Sequence, residues 1–145
     1  GFGGIALRAF PFEHMEAMDG FRFVVDGAVP DGLTRVLSLA SLGMTFKAVM
    51  ASVDMILTKP GYGTIVEAVA LGIPVVYVRR YNFPDEPPLV DHLHRYGRGA
   101  ELSLVDFLQG RWNAAIEQAF ARPLSSTPPP LSGAQDAAHI LKDYV

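Results

Sequence analysis

The hydrophobic positions of this chain fall into two kinds of run that alternate along it, separated by glycine and proline. FRFVV at 21–25, closed by Asp26-Gly27, DMILT at 54–58 and PVVYV at 74–78 are largely apolar runs with β-branched and aromatic side chains. Continuous apolar runs of this length predict strands buried on both faces. VLSLAS at 36–41 and AELSL at 100–104 predict two weaker strands. The remaining runs have helical spacing. Residues 5–18 predict a helix that Pro11 must kink or restart. FKAVMAS at 46–52 predicts a second helix, capped by Thr45, with Phe46, Val49, Met50 and Val53 on one face. Further helices are expected at 64–72, closed by Gly72, at 88–97 with a glycine stop, and over most of 105–120. A last helix at 134–144 carries Ala137, Ile140, Leu141 and Tyr144 on one side.

Strands alternating with helices across short glycine-containing turns predict an α/β fold, a Rossmann-like parallel sheet flanked by helices. The expected organisation is one domain over 1–121, a proline- and serine-rich linker over 122–133 (RPLSSTPPPLSG), and a C-terminal helix over 134–145 packing on that domain. No internal repeat is visible. Ligands of such folds bind beyond the C-terminal ends of the strands. The loops of interest are therefore 1–4, 41–45, 59–64 and 79–88.

Composition narrows the function classes. The chain has 145 residues, half of them hydrophobic and 19% charged, with a formal net charge of -3. That supports a folded core and offers no general surface for nucleic acid, with Arg79-Arg80 and Arg95/Arg98 as local exceptions. There is no cysteine, which excludes disulfides, zinc-thiolate sites and thiol nucleophiles, and suits a cytoplasmic location. No apolar run approaches the ~20 residues of a transmembrane segment. The opening GFGG reads as a loop, so a piece of a longer protein is expected.

Two glycine turns carry the candidate chemistry. GFGG at 1–4 leads into a helix, an arrangement that lets backbone N–H groups approach a phosphate. KPGYGTIVE at 59–67 follows a predicted strand directly. Gly61 and Gly63 permit positive φ and close backbone approach. Thr64 can cap the following helix or turn its hydroxyl to a phosphate, and the free N–H groups of the first turn favour an anion. Glu67, three residues after Thr64, fits a capping box or a carboxylate that holds the two hydroxyls of a ribose. Lys59 is either a phosphate neutraliser or a solvated lysine. His92 and His94 form H-x-H, but residues two apart on a helix diverge, so no metal site is expected. His14 and His139 read as surface or boundary residues, and Trp112 as a packing anchor.

These motifs have a family likeness. DMILTKPGYGTIVEAVALGIPVVYV at 54–78 resembles the donor-site region of GT-B glycosyltransferases, including the group of the peptidoglycan N-acetylglucosaminyltransferase. A closer resemblance is to the glycosyltransferase-like half of plant-type L-arabinokinases. It rests on GYGT at 61–64, Glu67-Ala68, Val78-Arg79-Arg80 and Asp85-Glu86-Pro87, and continues through Gly110-Arg111-Trp112 to AAHILKDY at 137–144. GFGG stands where that family has a glycine turn. The likeness covers most of the chain and is weakest over 20–50.

The resemblance implies one half of a GT-B fold that binds a nucleotide-diphosphate sugar, with a UDP-sugar as the expected donor. Gly3, Gly4, Gly61, Gly63 and Thr64 would face the diphosphate, and Glu67 the ribose. Leu42, Gly43 and Met44 would border the nucleobase, and Asp85 and Glu86 the sugar. The acids replace the glutamines of the peptidoglycan enzyme's motif, which leaves the sugar open. Lys59, Arg79 and Arg80 would bind phosphate or form ion pairs. No cofactor or metal is implied. The general base and acceptor site of such enzymes lie on an N-terminal domain, so the expected partner is a missing N-terminal domain of the same polypeptide, and no catalytic residue can be named here. The family's first strand, in mid-sheet before the glycine turn, would also have to come from outside this chain. Two alternatives stand beside the donor-domain reading: a same-fold sugar-nucleotide epimerase, and a non-catalytic sugar-nucleotide module linked to a sugar kinase.

Overall fold

The computed structural model describes residues 10–130 and 132–142. GFGG, with Gly3 and Gly4, and the first residues of the expected 5–18 helix lie outside the described residues. Helix α1 is Phe12–Ala17, with Pro11 at its N-cap, so the proline starts a helix here. Strand β1, Phe23–Val25, pairs in parallel with β2, Val36–Ser38. Glu16 fixes α1 to this pair. Its carboxylate accepts the Thr34 hydroxyl at 2.6 Å and the backbone N–H groups of Thr34 and Arg35 at 3.0 and 2.9 Å. These bonds pull the Glu16 carboxyl below its ordinary value, the Thr34 hydroxyl contributing most.

The second strand is shorter than its apolar run. After Ser38 the chain turns into a 3-10 segment, Leu39–Leu42, and the Ser41 hydroxyl bonds the Ser38 carbonyl at 2.7 Å. Serine competing locally for the backbone outweighs β-propensity there. Thr45 caps α2, Phe46–Met50, as expected, accepting from the Ala48 N–H at 3.2 Å. Next come β3 (Ile56–Thr58), α3 (Tyr62–Leu71), β4 (Val75–Tyr77), α4 (Glu86–Tyr96) and β5 (Gly99–Glu101). The three strands are parallel in the order β3-β4-β5, with Ile56 opposite Val75 and Val75 opposite Gly99. Several boundaries differ from expectation; β5 stops at Glu101, short of the 100–104 run, and Ser103 caps the following helix instead. Helix α3 begins at Tyr62 rather than Thr64. Helix α4 takes in Glu86, Pro87 and Pro88, which read as loop in sequence but fit a first helical turn, where a missing N–H goes unused.

The chain closes with α5 (Leu104–Leu108), α6 (Asn113–Ala121) and α7 (Gly133–Lys142). The helix expected over 105–120 is therefore split, and Gly110 at φ 68 makes the break. Residues 122–130 contain no helix or strand. None of the described residues of α7 is buried.

The α/β class and the parallel strands agree with the sequence reading, but the single sheet does not. Among the described residues the strands form two sheets, β1-β2 and β3-β4-β5. Two apolar layers cover them. One joins Met15, Val25 and Val36 to Val76, Val78, Ala100, Phe107, Trp112 and Ile116, and so runs under both sheets. The other packs Met50, Ile65, Val69, Val90 and Leu93 against Ile56, Val75 and Tyr77. Successive β4 residues thus enter opposite layers, as the two-residue strand period requires. Trp112 is a packing anchor, stacked on Phe107 and donating Nε1–H to the Phe107 carbonyl at 2.9 Å.

A Cβ at Gly110 would come within 2.4 Å of the His14 Cβ, in a left-handed backbone that L side chains disfavour. Gly110→Ala is expected to lower stability by about 2 kcal/mol or more, from αL strain of roughly 1–2 kcal/mol plus the clash. Urea unfolding checks this through a fall in the midpoint at unchanged m.

Candidate functional site

The C-terminal ends of β3 and β4 carry the two loops that sequence reading singled out. At the end of β3, Thr58 is buried and Lys59-Pro60-Gly61 turn the chain into α3. Gly61 is the N-cap, with extended backbone (φ -119, ψ 138) and no side-chain cap. The first intrahelical bond runs from the Ile65 N–H to the Gly61 carbonyl at 2.9 Å. The first-turn N–H groups of Tyr62, Gly63 and Thr64 therefore lie ahead of the ladder, at the positive end of the helix.

This geometry corrects the capping box. Thr64 is the third residue of the helix and Glu67 the sixth, so neither occupies a capping position. Neither Gly61 nor Gly63 has the positive φ that the sequence permitted. Their usefulness is spatial: apart from the chain neighbours and the helix's own backbone, no atom of the described residues lies within 4 Å of the Cβ position at Gly63, which leaves the backbone there open to approach among the described residues. Gly63, Thr64 and Glu67 share one face, with Glu67 one turn beyond Gly63. Thr64 and Glu67 are both half-buried.

Lys59 folds back over the turn, its Nζ 2.9 Å from the Cβ position of Gly61. Desolvation, then the charge of Arg80, lowers its pKa, with Asp85 and Glu86 opposing. The ammonium is thus held at the turn rather than free in solvent.

The loop after β4 is organised by one carboxylate. Glu86 has no exposed surface, and its oxygens accept from Arg79 Nε and Arg80 Nε at 3.2 Å. The Arg80 backbone N–H adds bonds to both oxygens at 3.1 and 3.0 Å. Burial alone would raise the Glu86 carboxyl, but the Arg80 backbone bond and the two guanidinium groups outweigh it and leave it below the ordinary value. This takes Glu86 out of the sugar-facing role expected of it. It likewise commits Arg79 and Arg80 to ion pairs instead of phosphate. Arg80 also donates to the Pro60 carbonyl at 2.8 Å, strapping this loop to the glycine turn, and lies over the Phe83 ring at 3.7 Å.

Other expected site residues are distributed unevenly. Asp85 is exposed at the N-cap of α4, close enough to act on the Lys59 charge. Leu42, Gly43 and Met44 follow β2 in the other sheet, with Gly43 in the left-handed conformation and Met44 exposed. No hydrogen bond among the described residues joins them to the α3 turn. His94 turns inward to bond the Tyr77 hydroxyl at 2.7 Å, while the His92 ring packs near Tyr96. Burial lowers His94 and pushes Tyr77 up to about 12.

Sequence reading missed Tyr81. It has φ 60, unusual for a large side chain, is highly exposed, and donates its hydroxyl to Glu101 at 2.8 Å. Arg79 lies 5.0 Å from its ring centroid. Nothing in the local sequence marks this backbone conformation.

No family model matches the chain. An L-arabinokinase from Arabidopsis thaliana is 38% identical over 96 residues, which is 66% of this chain and 9% of that protein's length. The glycosyltransferase SnogD from Streptomyces nogalater, a crystal structure, aligns at 22% identity with a TM-score of 0.43. That alignment covers 90% of this chain and 37% of the other.

Replacing Glu86 with Ala strands two guanidinium groups and is expected to cost about 3 kcal/mol, at the low end for breaking a buried pair because Arg79 is partly hydrated. In wild type the lowered carboxyl gives a pH signature. The stabilisation is full above the ordinary glutamate pKa of about 4.3 and is lost as pH falls through the lower folded value. Urea midpoints measured from pH 7 to pH 3 should fall more steeply in wild type than in Glu86→Gln.

Proposed function

We propose that this chain is the donor-binding half of a GT-B glycosyltransferase, taking a nucleotide-diphosphate sugar, with a UDP-sugar as the first candidate. The observation that carries the proposal is the uncapped start of α3 beyond β3, with open backbone at Gly63 and Lys59 held above it. The resemblance of GYGT and the following Glu67 to GT-B donor sites supports the same reading. The diphosphate lies over Gly61, Gly63 and Thr64, and Glu67 accepts hydrogen bonds from the ribose hydroxyls. Gly3 and Gly4 complete the diphosphate site, Leu42, Gly43 and Met44 border the base, and Asp85 approaches the sugar.

As the glycosidic bond breaks, negative charge grows on the leaving diphosphate. Helix N–H groups fixed by the fold stabilise that charge without reorganising, so this half needs no metal to do its part. The base that activates the acceptor lies on an N-terminal domain of the longer polypeptide. The parent protein is cytoplasmic in this reading, and no described helix is long and apolar enough to cross a membrane.

A second reading is favoured by the relative's name. An arabinokinase matching over 96 residues fits a sugar-nucleotide-binding module attached to a sugar kinase, without transfer chemistry. The two readings share the site and differ in turnover: a transferase releases free nucleotide diphosphate when given an acceptor, and a module only binds.

Calorimetric titration with UDP, GDP, ADP and their sugars tests the site. Glu67→Ala is expected to weaken the preferred nucleotide about 10- to 100-fold, the loss of hydrogen bonds to a charged group worth roughly 1.5–3 kcal/mol. Gly63→Ala should raise stability by about 0.5–1 kcal/mol, as alanine does for glycine in a helix, yet weaken binding by crowding the diphosphate. Absence of binding by any nucleotide ends both readings, and binding indifferent to both substitutions moves the ligand elsewhere.

A further inference from the structure

The loop after β4 contains a turn that a tyrosine should avoid. The Asn82 N–H donates to the Arg80 carbonyl at 2.8 Å, two residues back, around Tyr81 at φ 60. A bond of that span about a left-handed residue makes a γ-turn of the rare, strained hand. Glycine takes this conformation freely, whereas a large side chain keeps it only where neighbours hold it. Burial does not offset the strain, because Tyr81 is 75% exposed.

Two surface contacts hold the ring instead. Its hydroxyl donates to Glu101 Oε1 at 2.8 Å, and the Arg79 guanidinium lies over one face, 5.0 Å from the centroid. The Glu101 bond, and then the Glu101 charge, keep the Tyr81 hydroxyl above its ordinary pKa, so it stays a donor. Arg79 is itself tied to the buried Glu86, so the ring rests on a fixed support and its other face is left to solvent. Glu101 is the exposed last residue of β5. Among the described residues Tyr81 is its one hydrogen-bond donor, which leaves the second carboxylate oxygen able to accept.

This ring and carboxylate stand at the same edge of the sheet as the α3 turn. Tyr81 follows the C-terminal end of β4 and Glu101 ends β5, and β5 lies two strand spacings, ~10 Å, from β3. Arg80, next to Tyr81, bonds the Pro60 carbonyl in the turn itself. A diphosphate at the start of α3 with a sugar ring in line can cross that distance.

We propose that Tyr81 and Glu101 form a sugar-ring subsite that selects a neutral pyranose on the nucleoside diphosphate. The C–H face of the pyranose packs on the open face of the tyrosine, whose π-cloud is its negative side. Neighbouring hydroxyls at the rim of the sugar donate to the second oxygen of Glu101. A uronate in the same place sets a second carboxylate against Glu101, while Arg79, the cation beside the ring, is already shared with Glu86. The inference rests on the donor-binding reading and adds to it the class of sugar and two residues that choose it.

Calorimetric titration with UDP, GDP and ADP, then with the glucose, galactose, xylose and glucuronate conjugates of the diphosphate that binds best, tests the subsite. At least one neutral conjugate should bind about 10-fold more tightly than the glucuronate conjugate, the scale of one hydrogen bond to a charged group. Tyr81→Gly should weaken that neutral conjugate by about the same factor and leave the bare diphosphate unchanged. The same substitution should raise the urea midpoint, because glycine relieves the left-handed backbone. Glu101→Gln should close the gap between neutral and glucuronate conjugates. A glucuronate conjugate that binds as well as every neutral one overturns the inference. So does a Tyr81→Gly protein with a lower midpoint and an equal loss for conjugate and bare diphosphate, which gives the ring a purely structural role. If no diphosphate binds, the donor reading falls and the inference with it. If diphosphate binding is weakened by Glu67→Ala while Tyr81→Gly leaves the sugar's contribution unchanged, the inference alone falls.

Discussion

Two-sided burial of β4 is the constraint on which the remaining structure rests. Val75, Val76, Tyr77 and Val78 are all nearly inaccessible, and they alternate between two helix layers. A strand in that position cannot shift by one residue without exchanging its faces, so its register fixes β3 and β5 on either side. Fixing β3 and β4 in turn fixes where their C-terminal ends emerge. The glycine turn and the arginine loop are neighbours because their strands are. The Arg80 bond to the Pro60 carbonyl makes that proximity rigid.

The fold class was legible because buried parallel strands have an uncommon signature. PVVYV offers no polar face, and the structure buries it on both sides. Boundaries were less legible, each for a local reason. Ser41 drew the chain out of strand geometry, and Pro87-Pro88 looked like loop while occupying a helix's first turn. Division into two sheets could not be read from hydrophobic runs, because a missing pairing leaves no mark on the strands that flank it.

The local structure of the candidate turn was legible in outline and less so in detail. KPGYGTIVE was placed correctly between strand and helix, but the helix starts two residues earlier than its threonine suggested. That difference shifts Thr64 and Glu67 from capping each other to sharing an open face with Gly63. Glu86 is the converse. Its neighbour Asp85 and the preceding arginines made a ligand role and an ion-pair role equally readable, and only burial separates them. Tyr81, exposed and at φ 60, was invisible because nothing in the local sequence marks that backbone conformation.

The Glu86 clamp has a consequence for charge at this end of the sheet. Two helices, α3 and α4, begin here, and each start is a small positive pole that draws anions. At α4 the fold supplies its own anion from the helix's first residue, fully buried and shared with two arginines. At α3 the corresponding positions are glycine and a tyrosine exposed to solvent, with a lysine overhead. One pole is met by a carboxylate of its own helix, and at its twin no described side chain of the first turn plays that part.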